Sequence, residues 1–114
     1  MSSYKIYLYK TVSDKQPITD FINQQNPKNI AKIRNGLRLL ETYGLTLLQT
    51  KWLKKIKQKP DIFELRITGH PQIRLLFSTV NSQSFLIAHV FIKKSKKTPI
   101  KEIKLATKRT LEFL

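Results

Sequence analysis

Hydrophobic positions change their period twice along the chain. Tyr4, Ile6 and Leu8 alternate with Lys5, Tyr7 and Tyr9, which predicts a first strand over residues 4–10. The spacing then moves to threes and fours. Ile18, Phe21 and Ile22 follow Pro17 and predict a short helix ending by Asn26, while Ile30, Ile33, Leu37 and Leu40 predict a second. Asn26 suits the N-cap of that second helix, Pro27 its first turn and Gly44 its stop, so residues 13–43 read as a helical hairpin. Residues 45–61 hold apolar side chains without a sustained period and read as a connection with a short helical turn, closed by Pro60.

Beyond Asp61 the period returns to two. Phe63, Leu65 and Ile67 alternate with Glu64, Arg66 and Thr68; a turn at 69–71 leads to Ile73, Leu75 and Phe77 alternating with Arg74, Leu76 and Ser78. After a turn at 81–83, Phe85 to Ile92 is apolar at almost every position, as in a strand buried on both faces. Within it His89 alternates with Ile87 and Phe91 and reads as a core histidine with a satisfied ring. Short connections make these three strands an antiparallel meander. Thr98 and Pro99 then open a last helix with Ile103, Ala106, Thr110 and Phe113 on one face. The expected fold is α+β: N-terminal strand, helical hairpin, three-stranded antiparallel meander and C-terminal helix, in one domain over 1–114.

Charge sharpens this picture. The 114 residues carry 22 Lys and Arg against 7 Asp and Glu, a formal charge of +15. Residues 51–114 supply +11 of it. There the bases bunch into KWLKKIKQK, with Lys54, Lys55 and Lys57, and KKSKK, with Lys93, Lys94, Lys96 and Lys97. Solubility asks for a net charge of only about 2 to 8 in a small domain, so two such blocks point to a polyanion, nucleic acid first. With 40% hydrophobic residues the chain has material for a core and does not read as a basic tail. KKSKKTP has no apolar face to lay on a membrane. No apolar run approaches the roughly 20 residues of a membrane span, and MSSYKIYLYK lacks a leader's apolar stretch, so the expected location is the cytoplasm.

Candidate chemistry narrows by residue supply. The absence of cysteine excludes disulfides and thiolate chemistry, and the acids and histidines show no metal-ligand spacing, so neither metal nor cofactor is expected. Three glycines make no phosphate-cradling loop. Period 2 instead places Glu64, Arg66 and Thr68 on one face, to which a hairpin brings Arg74. KKSKK leads into a helix N-terminus, whose N–H groups favour phosphate. Metal-free RNA cleavage needs a 2′-OH deprotonated, charge on phosphorus stabilised and a 5′-oxygen protonated. Arginine suits the second task because its fork holds two phosphate oxygens, and lysines crowded by like charge suit proton transfer. The competing reading of Arg66 and Arg74 is two solvated strand residues. His70, in a turn, is open to substrate but explained equally by the turn. Trp52, inside the lysine run, can stack on a base, but a lone tryptophan there reads first as an anchor to the core.

The runs IFELRI (62–67), QIRLLF (72–77), AHVFIKKSKKTP (88–99) and EIKLATKR (102–109) stand in the order found in the HigB-like, phage-derived branch of the RelE/ParE toxin superfamily. The resemblance covers Leu40 to Phe113. It implies a RelE-like fold and the toxin of a type II toxin-antitoxin system, with many members being metal-independent, ribosome-dependent mRNA endoribonucleases. By that resemblance Arg66 matches a strand residue assigned to transition-state or proton-transfer work, Arg74 the arginine that holds phosphate, and Lys94 a basic residue after the last strand. Lys93, Lys96 and Lys97, with Lys54, Lys55 and Lys57, are candidate RNA contacts. Implied partners are the 70S ribosome, mRNA and a helix-turn-helix antitoxin. Glu64 stands where some RelE-type enzymes have a second strand lysine, and residues 100–114 contain no tyrosine, so acid and base stay open. Alternatives are a ParE-like gyrase inhibitor and a non-catalytic RNA-binding domain.

Overall fold

The computed structural model describes residues 4–113. Residues 1–3, the start of the stretch read for a leader, and Leu114 lie outside the described residues. The elements are β1 (Lys5–Leu8), α1 (Pro17–Asn23), α2 (Pro27–Tyr43), a 3-10 helix (Gly44–Gln49), β2 (Leu53–Lys57), β3 (Ile62–Ile67), β4 (Ile73–Asn81), β5 (Ser84–Ile92) and α3 (Ile100–Phe113). The chain is thus a mixed α+β fold with one five-stranded sheet in the order β1-β5-β4-β3-β2.

Helix α2 begins where its punctuation predicts. The Asn26 side-chain oxygen accepts from the Asn29 amide at 2.8 Å, satisfying an amide the helix cannot, and Pro27 follows. Gly44 ends the helix at φ 56°, a left-handed conformation that L side chains rarely adopt. Ile33 and Leu40 of α2 and Ile18 and Ile22 of α1 pack on one face of the sheet, against Phe63, Leu65, Leu75, Phe77, Phe85 and Ile87. Helix α3 covers part of the other face, where Ala106 and Ile103 meet Ile62, Leu76, Leu86, Ala88 and Phe91. Arg109 of α3 donates to the Ala88 carbonyl at 3.0 Å and lies over the Tyr9 ring, whose hydroxyl donates to Glu112 at 2.9 Å.

The sheet corrects the expected meander. It has four antiparallel strands rather than three, because Leu53–Lys57 pairs with β3, and β1 adds to β5 in parallel. Three of the five β2 residues are lysines and the register slips between Lys55 and Lys57, so no period of two survives in the sequence. Lysines and a bulge are also what protects an edge strand from pairing further.

A second irregularity separates His89 from Ile87, with which it was expected to share a face. Leu76 pairs with His89 and Phe77 with Ile87, leaving Ala88 as the extra residue of a bulge. Ile87 therefore faces the helical hairpin, whereas Ala88, His89 and Phe91 face α3. The His89 side chain is 13% exposed and its Nε2 lies 3.0 Å from Glu102 Oε1, so the ring is mostly buried and satisfied, as expected, with its partner on α3.

Candidate nucleic-acid interface

The α3 side of the sheet is left uncovered toward β2 and β3. There a cleft of about 320 Å³ is lined by Lys54, Lys55, Ile56, Glu64, Arg66, Lys93, Lys96, Lys97, Thr98 and Ile103. Strand pairing supplies the first part of this set: Lys54 sits opposite Glu64, and Arg66 opposite Arg74. The segment between β5 and α3 supplies Lys93, Lys96, Lys97 and Thr98. It is tied down at one end by the Lys93 amide, which donates to the Gln72 carbonyl at 2.8 Å, and at the other by the Thr98 hydroxyl, which donates to Glu64 Oε2.

Glu64 is the centre of the arrangement. Only 1% of its side chain is exposed, and a carboxylate that deep requires paired cations and hydrogen bonds. Its Oε1 accepts from Arg66 Nε at 3.2 Å and lies 3.8 Å from Arg74 Nε; its Oε2 accepts from Thr98. One carboxylate therefore orients Arg66, neutralises a buried neighbour and pins the end of the lysine segment.

The two arginines differ. Arg66 is 30% exposed and lines the cleft, leaving the rest of its fork available to a phosphate. Arg74, expected on the open surface, is buried at 9% exposure, and its terminal nitrogens donate to Gln72 Oε1 at 3.3 Å and to the Ile73 carbonyl at 3.0 Å. Burial lowers the Arg74 guanidinium below the usual arginine range, Glu64 opposes that shift, and Arg66 adds to it. It stays a cation at neutral pH.

The lysines also separate. Lys54, Lys93, Lys96 and Lys97 line the cleft; Lys55 lines it too but pairs through its ammonium with Asp61 at 3.2 Å. Lys57 lies outside and donates to the Gln58 and Lys59 carbonyls. Lys94 is exposed and outside the lining residues. The first turn of α3, expected to receive a phosphate, carries Glu102, whose carboxylate faces His89. Burial holds the His89 imidazole below the ordinary histidine range, and the bond to Glu102 only partly offsets it. Among the described residues no cluster of three or more His, Asp or Glu is arranged to hold a metal ion. No helix among them is long and apolar enough to cross a membrane.

Six cations and one carboxylate in a single cleft make a surface for a polyanion. The model of the family described as Phage derived protein Gp49-like (DUF891) matches residues 20–111. The chain belongs to this Gp49-like family. Its proteins are toxin-like, of the RelE/HigB type. The match takes in α2, all of β2 to β5 and most of α3, and so every residue that lines the cleft. No curated protein matches the chain.

Glu64 and Thr98 are the site residues that sequence reasoning missed as such. A lone acid on a strand face otherwise basic was the available signal for Glu64. Thr98 carried none, because its partner lies 34 positions away.

Proposed function

We propose that this Gp49-like protein is the toxin of a toxin-antitoxin pair and acts as a ribosome-dependent mRNA endoribonuclease. The observation that carries the reading is Arg66, a part-exposed guanidinium held by the buried Glu64 at the floor of a lysine-walled cleft. In the proposed reaction the ribose 2′-hydroxyl gives up its proton to a base, its oxygen attacks the adjacent phosphorus, the bond to the 5′-oxygen breaks, that oxygen takes up a proton in exchange for the one released, and a 2′,3′-cyclic phosphate remains. Negative charge grows on the phosphoryl oxygens as the attack proceeds. Arg66, Lys54, Lys93, Lys96 and Lys97 stabilise it, and Arg66 is positioned before substrate arrives because Glu64 fixes one side of its fork.

In this reading Arg74 acts through Glu64 rather than on phosphate, and Lys57 and Lys94 contribute long-range attraction. The 70S ribosome supplies what a 114-residue chain lacks, a rigid surface that presents one phosphodiester. The proposed setting is the cytoplasm, with a helix-turn-helix antitoxin whose acidic surface associates quickly and salt-dependently.

Programmed ribosomes test the reading. Cleavage of the A-site codon by the wild type, lost in Arg66→Ala while ribosome binding is kept, is the expected result. Intact mRNA with folded protein bound to the ribosome overturns it, and gyrase-dependent DNA breaks in cells with intact mRNA would assign the protein to the gyrase inhibitors instead.

A further inference from the structure

Arg66 lines a second depression besides the lysine cleft. This slot, about 210 Å³, is bounded by Lys51, Trp52, Arg66 and Thr68. Trp52 stands just before β2 and level with Arg66, whose amide donates to the Trp52 carbonyl at 2.8 Å. The indole packs partly on the core and reaches α2, where a Cβ added to Gly36 would lie 3.6 Å from its Cζ3. On a further side it lines another hollow, of about 190 Å³, with Lys32, Asn35, Ile67 and Thr68. The ring is thus anchored to the core, yet it forms the wall of a slot that opens beside the cleft through Arg66.

We propose that Trp52 and Arg66 form a nucleobase subsite: a base of the strand whose phosphate lies in the lysine cleft stacks on the indole. The inference rests on the proposed RNA-binding role of that cleft. Three features support it. A half-buried ring held at one edge presents a flat apolar surface without losing rotamer freedom on binding. Arg66 and Lys51 flank the slot, so the phosphates on either side of a stacked nucleotide meet cations. Thr68 also lines the slot, and a threonine hydroxyl can offer both a donor and an acceptor to a base edge. Stacking on an aromatic ring tolerates any base, which suits a platform that positions a strand.

Trp52 is the chain's single tryptophan, so its fluorescence reports this site alone. The experiment compares a short single-stranded RNA with an abasic oligonucleotide of the same length and charge, both end-labelled, by anisotropy and by tryptophan quenching. RNA should quench the indole and the abasic strand should bind with little quenching. In Trp52→Leu, affinity for RNA should fall about tenfold. Trp52→Phe should stay close to wild type, and affinity for the abasic strand should be the same in all three proteins. Equal quenching by both strands, equal RNA affinity in wild type and Trp52→Leu, parallel loss for the abasic strand, or no binding of either strand would overturn the subsite. Ribosome cleavage is read separately. An inactive protein that still shows the stacking pattern would discard the nuclease reading and keep the subsite, and an active one without the pattern would do the reverse.

Discussion

Arg66 and Arg74 sit directly opposite each other on β3 and β4. Two like charges in that position repel, since facing side chains on neighbouring strands leave their Cβ atoms about 5 Å apart. The buried Glu64 carboxylate relieves the repulsion by lying against both, and the same contact turns Arg66 toward the cleft while Arg74 stays behind it.

The first prediction separates those roles. Arg66→Ala should abolish growth inhibition with a stability change under about 1 kcal/mol, because Arg66 is itself part-exposed and Glu64 keeps Arg74 and the Thr98 hydroxyl when it is removed. Glu64→Ala should cost about 3–5 kcal/mol, because it leaves the buried Arg74 without its counter-charge. Replacing both, as Glu64→Leu with Arg74→Leu, should recover much of that loss. Urea unfolding measures all three, and a Glu64→Ala variant as stable as the wild type would remove Glu64 from the centre of the site.

Salt dependence tests the cleft as a phosphate binder. With Arg66, Lys54, Lys93, Lys96 and Lys97 engaged, the logarithm of the RNA association constant should fall against the logarithm of salt with a slope of about −3.5. Lys93→Ala should reduce the steepness by about 0.7, and Lys57→Ala, outside the cleft, by less. A flat dependence would speak against electrostatic binding.

His89 predicts an acid limit. Its folded-state pKa lies below the unfolded value of 6.5, so the folded protein binds the proton less readily than the unfolded chain. The His89 contribution is complete above about pH 6.5 and is lost as pH falls through the lower, folded value. Urea midpoints between pH 7.5 and 5 should drop more for the wild type than for His89→Gln. Parallel curves would show that this ring does not carry the dependence.

Gly44→Ala should destabilise the fold by about 1–3 kcal/mol, through left-handed strain and overpacking together. A Cβ there would come within 2.4 Å of the Tyr4 ring, at φ 56°. A thermal melt indistinguishable from the wild type would show that the α2 end relaxes freely.

Elements whose cause is local were legible in advance. Helix α2 follows from Asn26, Pro27 and Gly44 around one apolar stripe, and β3 and β4 from a period of two that Leu76 alone interrupts over residues 63–78. Elements whose cause is a partner were not. Strand β2 is mostly lysine and exists because β3 offers it hydrogen bonds, and the face His89 takes depends on a bulge defined only by pairing with β4. The candidate site divides the same way. The shared face of Glu64, Arg66 and Arg74 is a matter of period; which arginine meets solvent depends on Gln72 and on burial.

The sequence by itself determined that this is a very basic α+β domain, with most of its charge after residue 50 and with Arg66 and Arg74 on one face of neighbouring strands, because charge and period are properties of neighbours in the chain. Only the tertiary structure decided that Glu64 holds Arg66 and Arg74 together, that Thr98 closes the lysine segment onto it, and that Trp52 stands next to the cleft. The contact of Thr98 with Glu64 joins positions 34 apart in the chain, and a buried carboxylate acquires its role only when folding removes the water that would otherwise solvate it.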